Sequence, residues 1–370
     1  MMFFKSLLGK DEPVLSYKDF WTWFHKNEKP FFQVVKRQGN IEKDFFDKVN
    51  PKLGQIMDGM FLLTGMYNDT TAELVFTPDG NIRKIVLAEE LVASAPEIEG
   101  WRFTALKPAM DRESFGIHMG DFKVTDENLE FFANESWERP DEIDITVVHK
   151  DLNDDNRDAL TNAIYIFLDN YLGELSFATT IDNLRVVGLT ETEKEPTSIK
   201  ELKMYLAQRQ SKFVEKYEGV RFNTDDDAFT MMEAELESGS PLIAVINTTL
   251  LMWDRKPSHS WIAGVEITYT DSENLGLPGE KTYQLLGDIE DEILTELKDF
   301  EGYLNIGRET AKNVRTVYFA CRDFRKPSKV FDRIKLKYAD KVELDFNIYK
   351  DKYWQSFDRF LPAENTEFAN

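Results

Sequence analysis

Residues 261–269, Trp-Ile-Ala-Gly-Val-Glu-Ile-Thr-Tyr, read as a strand, and the segments after them leave few ways to fold. Leu277-Pro-Gly279 punctuates the chain. From about Thr282 to Phe300, Leu285, Leu286, Ile289, Ile293 and Leu297 recur at helical spacing, the apolar stripe of an amphipathic helix. Segments 303–307 and 314–322 read as strands, and 328–338 as a second helix. In the last strand Val342, Leu344, Phe346 and Ile348 face one way, and Glu343, Asp345 and Asn347 the other. Strand, helix, strand, strand, helix, strand is the split βαβ order of a ferredoxin-like sandwich, an antiparallel sheet with helices on one face. A further strand, 242–252, precedes this core.

Upstream, the pattern is that of a second α+β domain. Tyr17, Phe20, Trp21 and Phe24 predict an opening helix, and 31–35 an extended stretch. Segments 61–67, 72–76 and 82–87 read as strands, 101–106 as another, and 153–172 as a helix with Leu160, Ile164, Phe167 and Tyr171 on one face. After Thr224, Phe229, Met232 and Leu236 are spaced as in a helix, which Gly239-Ser-Pro241 ends. The polar stretch 189–197 is the expected linker. The chain is thus expected to be α+β with two domains. Residues 1–188 form the first; 198–370 form the second, with a helical lead-in at 198–238 and the ferredoxin-like core at 242–362.

Twenty-eight Phe and 7 Trp in 370 residues are ample for packed cores. No apolar run approaches the roughly 18 residues of a membrane span. Met1 to Gly9 is too short for a signal-peptide core, lacks a small-residue cleavage site, and reads as a terminus or short docking segment. Cys321 is the only cysteine, so neither an intrachain disulfide nor a cysteine-rich metal site can form. A cytoplasmic location is expected. The net charge of −22 repels nucleic acid and anionic membranes, so neither is an expected partner. The charge is uneven: residues 1–241 hold 27 Lys+Arg against 45 Asp+Glu, whereas 308–337 hold 10 against 3.

Catalytic and metal patterns are weak. Asp151-Leu-Asn-Asp-Asp-Asn-Arg-Asp158 places acids as a calcium loop does, but Asn156 and Asn162 stand where such a loop needs Gly and Glu. It reads as an acidic helix start. Ser258-His259-Ser260 reads as a polar turn between two strands; neighbours along a strand point to opposite faces, so His259 is not expected to activate either serine. Cys321 reads as core, and the acids of Glu290-Asp-Glu292 with Glu296 as the solvated face of their helix. Neither a Gly-rich phosphate loop nor metal-ligand histidine spacing occurs, and no cofactor, metal or catalytic residue is assigned.

The basic run carries the binding expectation. Arg308, Lys312, Arg315, Arg322 and Arg325 flank or occupy one predicted hairpin, with Tyr318 interleaved and Trp261 on a neighbouring strand. Guanidinium groups suit carboxylates and phosphates. These seven residues are the candidate surface for an anion or an acidic partner. The competing readings are docking on the chain's own acidic half and ordinary solvated ion pairs.

Several of these pieces resemble a bacterial domain-of-unknown-function family, number 695, over about 242–362. They are the Trp261 strand ending in Tyr269, Leu277-Pro278, Ile289-Glu290-Asp291, Gly307 with Thr310, Arg315 with Tyr318, and Lys350-Asp351 before Trp354. The resemblance implies an α+β domain and carries no activity or catalytic residue with it. Residues 14–187 resemble a companion domain of uncharacterised bacterial proteins, through Pro96, Gly100-Trp101 and Tyr171-Leu-Gly-Glu174. The expected function is a non-catalytic protein-binding or regulatory module. The alternative is an enzyme with a dispersed site at the domain junction, acting on an anionic small molecule.

Overall fold

The computed structural model describes residues 13–110, 116–119, 122–192, 194–271 and 274–361. Residues 1–9, read above as a terminus or docking segment, lie outside these. Two compact units form: 1–111 with 168–177, and 112–167 with 178–370; the segment 189–197 is inside the second. The chain is mixed α and β, with several antiparallel pairings. Among the described residues no helix is long and apolar enough to cross a membrane.

The first unit opens with α1 (Tyr17–Lys36), whose Ser16 cap accepts from Asp19 N. The stretch 31–35, expected as extended, is the continuation of this helix through Pro30. Phe31 and Val35 extend the stripe of Phe20 and Phe24 and are buried with it, which outweighs the hydrogen bond a mid-helix proline removes. Then follow α2 (Asp47–Leu53), β1 (Phe61–Asn68), β2 (Thr71–Thr77), α3 (Ile82–Ala93) and β3 (Trp101–Ala105). Residues 82–87, expected as a strand, begin α3. Asn81 caps it through Arg83 N, and Ile85, Ala88 and Leu91 are buried at helical spacing. Helix α3 crosses between β2 and β3, which are parallel, in a sheet ordered β1–β2–β3. Aromatic rings fill the space beneath: Trp21 meets Phe76 at 5.7 Å and Phe103 at 4.5 Å, and Phe24 meets Trp101 at 5.1 Å.

Glu174 ties this unit together. It is fully buried, and its carboxylate accepts from Thr77 Oγ1 (2.6 Å), Gly80 N (2.7 Å) and Lys107 N (3.0 Å). Gly173, at φ +80°, brings it in; a Cβ there would lie 2.7 Å from Ala109 N.

The second unit contains β4 (Gly116–Met119), β5 (Phe122–Thr125), β6 (Leu129–Ala133), β7 (Asp144–His149), α4 (Arg157–Leu172), α5 (Glu174–Thr180), β8 (Asn183–Gly188), β9 (Thr197–Ser198) and α6 (Leu202–Tyr217). The helices α4 and α5 lend residues 168–177 to the first unit. A four-stranded sheet runs β8–β7–β6–β9. Next come β10 (Phe229–Glu235), β11 (Pro241–Asn247), α7 (Thr248–Leu251), β12 (Trp261–Thr268), α8 (Glu280–Glu296), β13 (Tyr303–Ala311), β14 (Val314–Cys321), α9 (Arg325–Tyr338) and β15 (Glu343–Lys350). The acidic helix expected after Thr224 is instead strand β10. It pairs with β11 from Phe229↔Asn247 to Glu235↔Pro241 around a turn with Gly239 at φ +77°.

These strands form one antiparallel sheet, ordered β10–β11–β13–β14–β12–β15. Directly paired residues share a face, so two rows cross all six strands. One runs Met231, Val245, Arg308, Val317, Val265, Phe346; the next runs Glu233, Ile243, Thr310, Arg315, Ile267, Leu344. At the β15 end Phe346 lies 5.4 Å from Phe331 of α9, and Leu344, Phe346 and Ile348 are buried while Glu343, Asp345 and Asn347 are exposed. The opposite face carries Ile246, Ile262, Leu304, Ile306 and Ala320, packed with Trp354, Phe357 and Phe360 from the segment after β15.

The end of β15 and the segment after it also reach the residues that precede β7 and β8 in the same unit. Lys350 Nζ donates to Thr179 O (2.7 Å) and pairs with Asp182 (2.8 Å); Lys352 Nζ donates to Asp141 O (2.6 Å) and pairs with Asp182 (2.7 Å). Burial pulls the Lys350 ammonium down to about 8 against the pull of Asp182.

Candidate functional site

At the β10 end the two rows are not roofed like the β15 end. They form the floor of a cleft of about 200 Å³, lined by Met231, Ile243, Val245, Leu277, Pro278, Tyr283, Arg308, Thr310 and Arg315. One wall is apolar; on the other side α8 supplies Tyr283 to the lining and, behind it, Glu290 as the partner of Arg308. Glu290 is only 6% exposed, and its Oε1 accepts from Arg308 Nη1 at 2.8 Å. The expectation that these acids face solvent therefore fails at Glu290. The residue lies four after Leu286 and three before Ile293, on the apolar stripe itself.

Arg315 is the unusual member. Its side chain is 3% exposed, Nε donates to Thr310 Oγ1 at 3.2 Å, and Nη1 stands 3.8 Å from Glu290 Oε2. A guanidinium has five N–H donors, and among the described residues only Nε makes a hydrogen bond here. The ring of Tyr283 lies 5.1 Å from its centre. Burial and the neighbouring Arg308 push the Arg315 pKa down, and Glu290 holds it up. Two guanidiniums thus share one carboxylate. Tyr269, just after β12, with its N–H donated to Asn313 O of the hairpin turn, is pushed up to about 12 by burial, against the pull of Arg315.

Of the seven residues expected to bind, the structure brings Arg308 and Arg315 into this cleft and places the others elsewhere. Lys312 is exposed in the two-residue β13–β14 turn, where it and Asn313 have φ of 49° and 65°. Tyr318 faces the opposite side of the sheet, 5.2 Å from Phe357, and its hydroxyl donates to Glu309 at 2.8 Å. Arg322 donates to Val220 O at 2.8 Å, and Arg325 pairs with Asp323 at 2.8 Å. Trp261 packs on Phe324 at 4.9 Å. Thr310 and Tyr283 line the cleft and Glu290 backs its arginines, none of them indicated by the basic run; for Glu290 the helical spacing was the available signal.

A second hollow, about 560 Å³ and more open, lies in the first unit between α1 and the segment after α3, lined by Lys18, Trp21, Thr22, His25, Lys26, Ser94 and Pro96. Its indole N–H is already donated, from Trp21 to Leu91 O at 2.9 Å. Among the described residues no group of three His, Cys, Asp or Glu is placed to hold a metal.

Ser258 and His259 lie in a turn between two strands, as expected, but the turn brings their side chains together. The turn is a short 3₁₀ segment, 256–259, and it sets Ser258 Oγ 2.8 Å from His259 Nδ1. The pair is nevertheless buried away from solvent. Ser258 donates its proton to Arg255 O at 2.7 Å, so Nδ1 is the donor to Oγ, and both side chains are buried. Nε2 is left without a partner, and burial drops the imidazole to about 3. The unfolded chain takes up this proton near pH 6.5, well before the folded one. His259 therefore contributes stability above pH 6.5 that is lost as pH falls toward 3, at about 1.4 kcal/mol per pH unit. His259→Asn is expected to lower the acid-limb slope of urea-unfolding stability by about one proton; equal slopes for the two proteins would refute the assignment.

Residues 239–362 match the model of a family of unknown function, DUF695. The matched segment runs from the turn before β11 past β15 and holds every cleft residue except Met231. No curated protein and no solved structure matches the chain.

Proposed function

We propose that the chain is a non-catalytic binding protein whose second unit holds an anionic group of its partner on Arg308 and Arg315. One observation carries this reading: a nearly fully buried guanidinium with a single hydrogen bond, facing a cleft. Burying a charge is costly unless it is paired and hydrogen-bonded, and an incoming anion supplies what Glu290 supplies only in part. The scaffold reading is ferredoxin-like. Its support is the order β13–β14–β12–β15, with α8 joining β12 to β13 and α9 joining β14 to β15, each pair separated by one antiparallel strand. The β10–β11 hairpin widens that core and extends the cleft floor with Met231, Ile243 and Val245.

Sodium acetate or inorganic phosphate, compared with sodium chloride at equal ionic strength, is expected to stabilise the full chain against heat. The gain approaches about 2.7 kcal/mol at a hundredfold excess over Kd. Arg308→Gln, at a residue partly open to solvent, should remove the difference between anions. An identical response to all three salts, or a response untouched by Arg308→Gln, sinks the reading.

A further inference from the structure

We propose that the cleft takes a carboxylate carried on one compact apolar group: the C-terminal residue of a polypeptide, or a free branched or aromatic acid. This rests on the binding site proposed above and specifies its ligand. Charge selects first. Arg308, Arg315 and Glu290 leave the site one positive charge, which a monoanion neutralises. A doubly charged phosphate would leave excess negative charge beside Glu290. Geometry selects next. Nη1 of Arg315, 3.8 Å from Glu290 Oε2, and Nη2 make no hydrogen bond among the described residues and form a planar fork that matches the two oxygens of a carboxylate, and Thr310 Oγ1, which accepts from Nε, keeps its own proton to donate.

Shape selects the rest. Met231, Ile243, Val245, Leu277 and Pro278 supply apolar surface beside the guanidiniums. The volume, about 200 Å³, is below the roughly 300–1,000 Å³ of drug-sized pockets. It is comparable to the roughly 150 Å³ cavity that holds one benzene. One ring or branched chain with its carboxylate fits; a long acyl chain or a nucleotide does not.

Calorimetric titration of the full chain at low ionic strength tests this with acetate, inorganic phosphate, phenylacetate and phenylacetamide. Phenylacetate is expected to bind at least tenfold tighter than acetate, phosphate and the uncharged amide. Met231→Glu places a negative charge at the mouth, on a residue 65% exposed and so without risk to folding; it should weaken phenylacetate at least tenfold. Arg315→Lys, which keeps the charge but loses the fork, should weaken it similarly. The proposal is overturned if phenylacetate binds no tighter than acetate or than phenylacetamide, or if neither substitution matters. Equal, Arg308-dependent binding of acetate and phosphate, with no gain for phenylacetate, would remove the apolar carboxylate while leaving the anion site standing. Absence of any Arg308-dependent binding would remove both. Gly-Gly-Gly-Phe with a free or an amidated C-terminus separates the sources. Tighter binding of the free form than of phenylacetate assigns a polypeptide end; weaker binding assigns a free acid.

Discussion

Gly307→Ala is expected to destabilise the second unit by on the order of 4 kcal/mol, a large part of the roughly 5–15 kcal/mol that holds a domain folded. Gly307 has φ +136°, a region that side chains rarely enter, and sits where the β13–β14 register shifts between Asn305 and Gly307. A Cβ there would lie 2.2 Å from Val245 O and 2.8 Å from Ile246 Cα, both backbone atoms of β11 that cannot rotate away. Relief requires β11 to move off β13, which opens the cleft floor and the packing of Ile246. Gly264 is the control. Its added Cβ would meet the Tyr318 ring at 3.4 Å, ordinary contact, so Gly264→Ala should cost far less. Urea unfolding of both variants decides the matter; a Gly307→Ala midpoint within error of Gly264→Ala would contradict the clash.

Glu174→Ala is expected to cost the first unit about 3–5 kcal/mol, since it strands three neutral donors at about 1–3 kcal/mol each when buried and less where water reaches them. The substitution leaves the buried Thr77 hydroxyl and the half-buried amides of Gly80 and Lys107 without this acceptor. Glu174→Gln keeps the shape but offers one oxygen for three donors, and turns an NH₂ toward at least one of them, so it should fall between. Because the chain holds two units, a single unfolding midpoint would blend them. Hydrogen exchange read by segment resolves this. Protection should fall at Gly80 and Lys107 and through β1–β3, while β12–β15 stays protected. Unchanged protection at those two amides would falsify the role given to Glu174.

What could be read in advance follows from what is local. The alternation of Val342 to Ile348 survives because one face of β15 lies under α9, a condition that period-2 spacing records directly. The run Ile82-Arg-Lys-Ile-Val-Leu87 is too short for period alone to separate strand from helix, and the Asn81 cap was the clue. At β10, Phe229, Met232 and Leu236 satisfy helical spacing by coincidence. Pairing with β11 overrides it, and that pairing depends on partner strands that no local window contains. The site follows the same division. Arg308 and Arg315 stand out as charges, but only the register of β13 on β14 brings them to one face. Tyr318, three residues after Arg315 in the same strand, has opposite parity and had to face away.

The two lysines on Asp182 have a consequence for how the chain assembles. Lys350 reaches carbonyls 170 and 171 residues earlier, and Lys352 one 211 residues earlier. The site around residues 141 and 179–182 is thus synthesised long before the strand that closes it, and during that interval Asp182 has neither ammonium. Loop closure across such separations is slow relative to helix and hairpin formation. The four-stranded sheet should therefore mature late, as the last strand arrives, and a segment cut to residues 239–362 would be missing the acceptors its own lysines require.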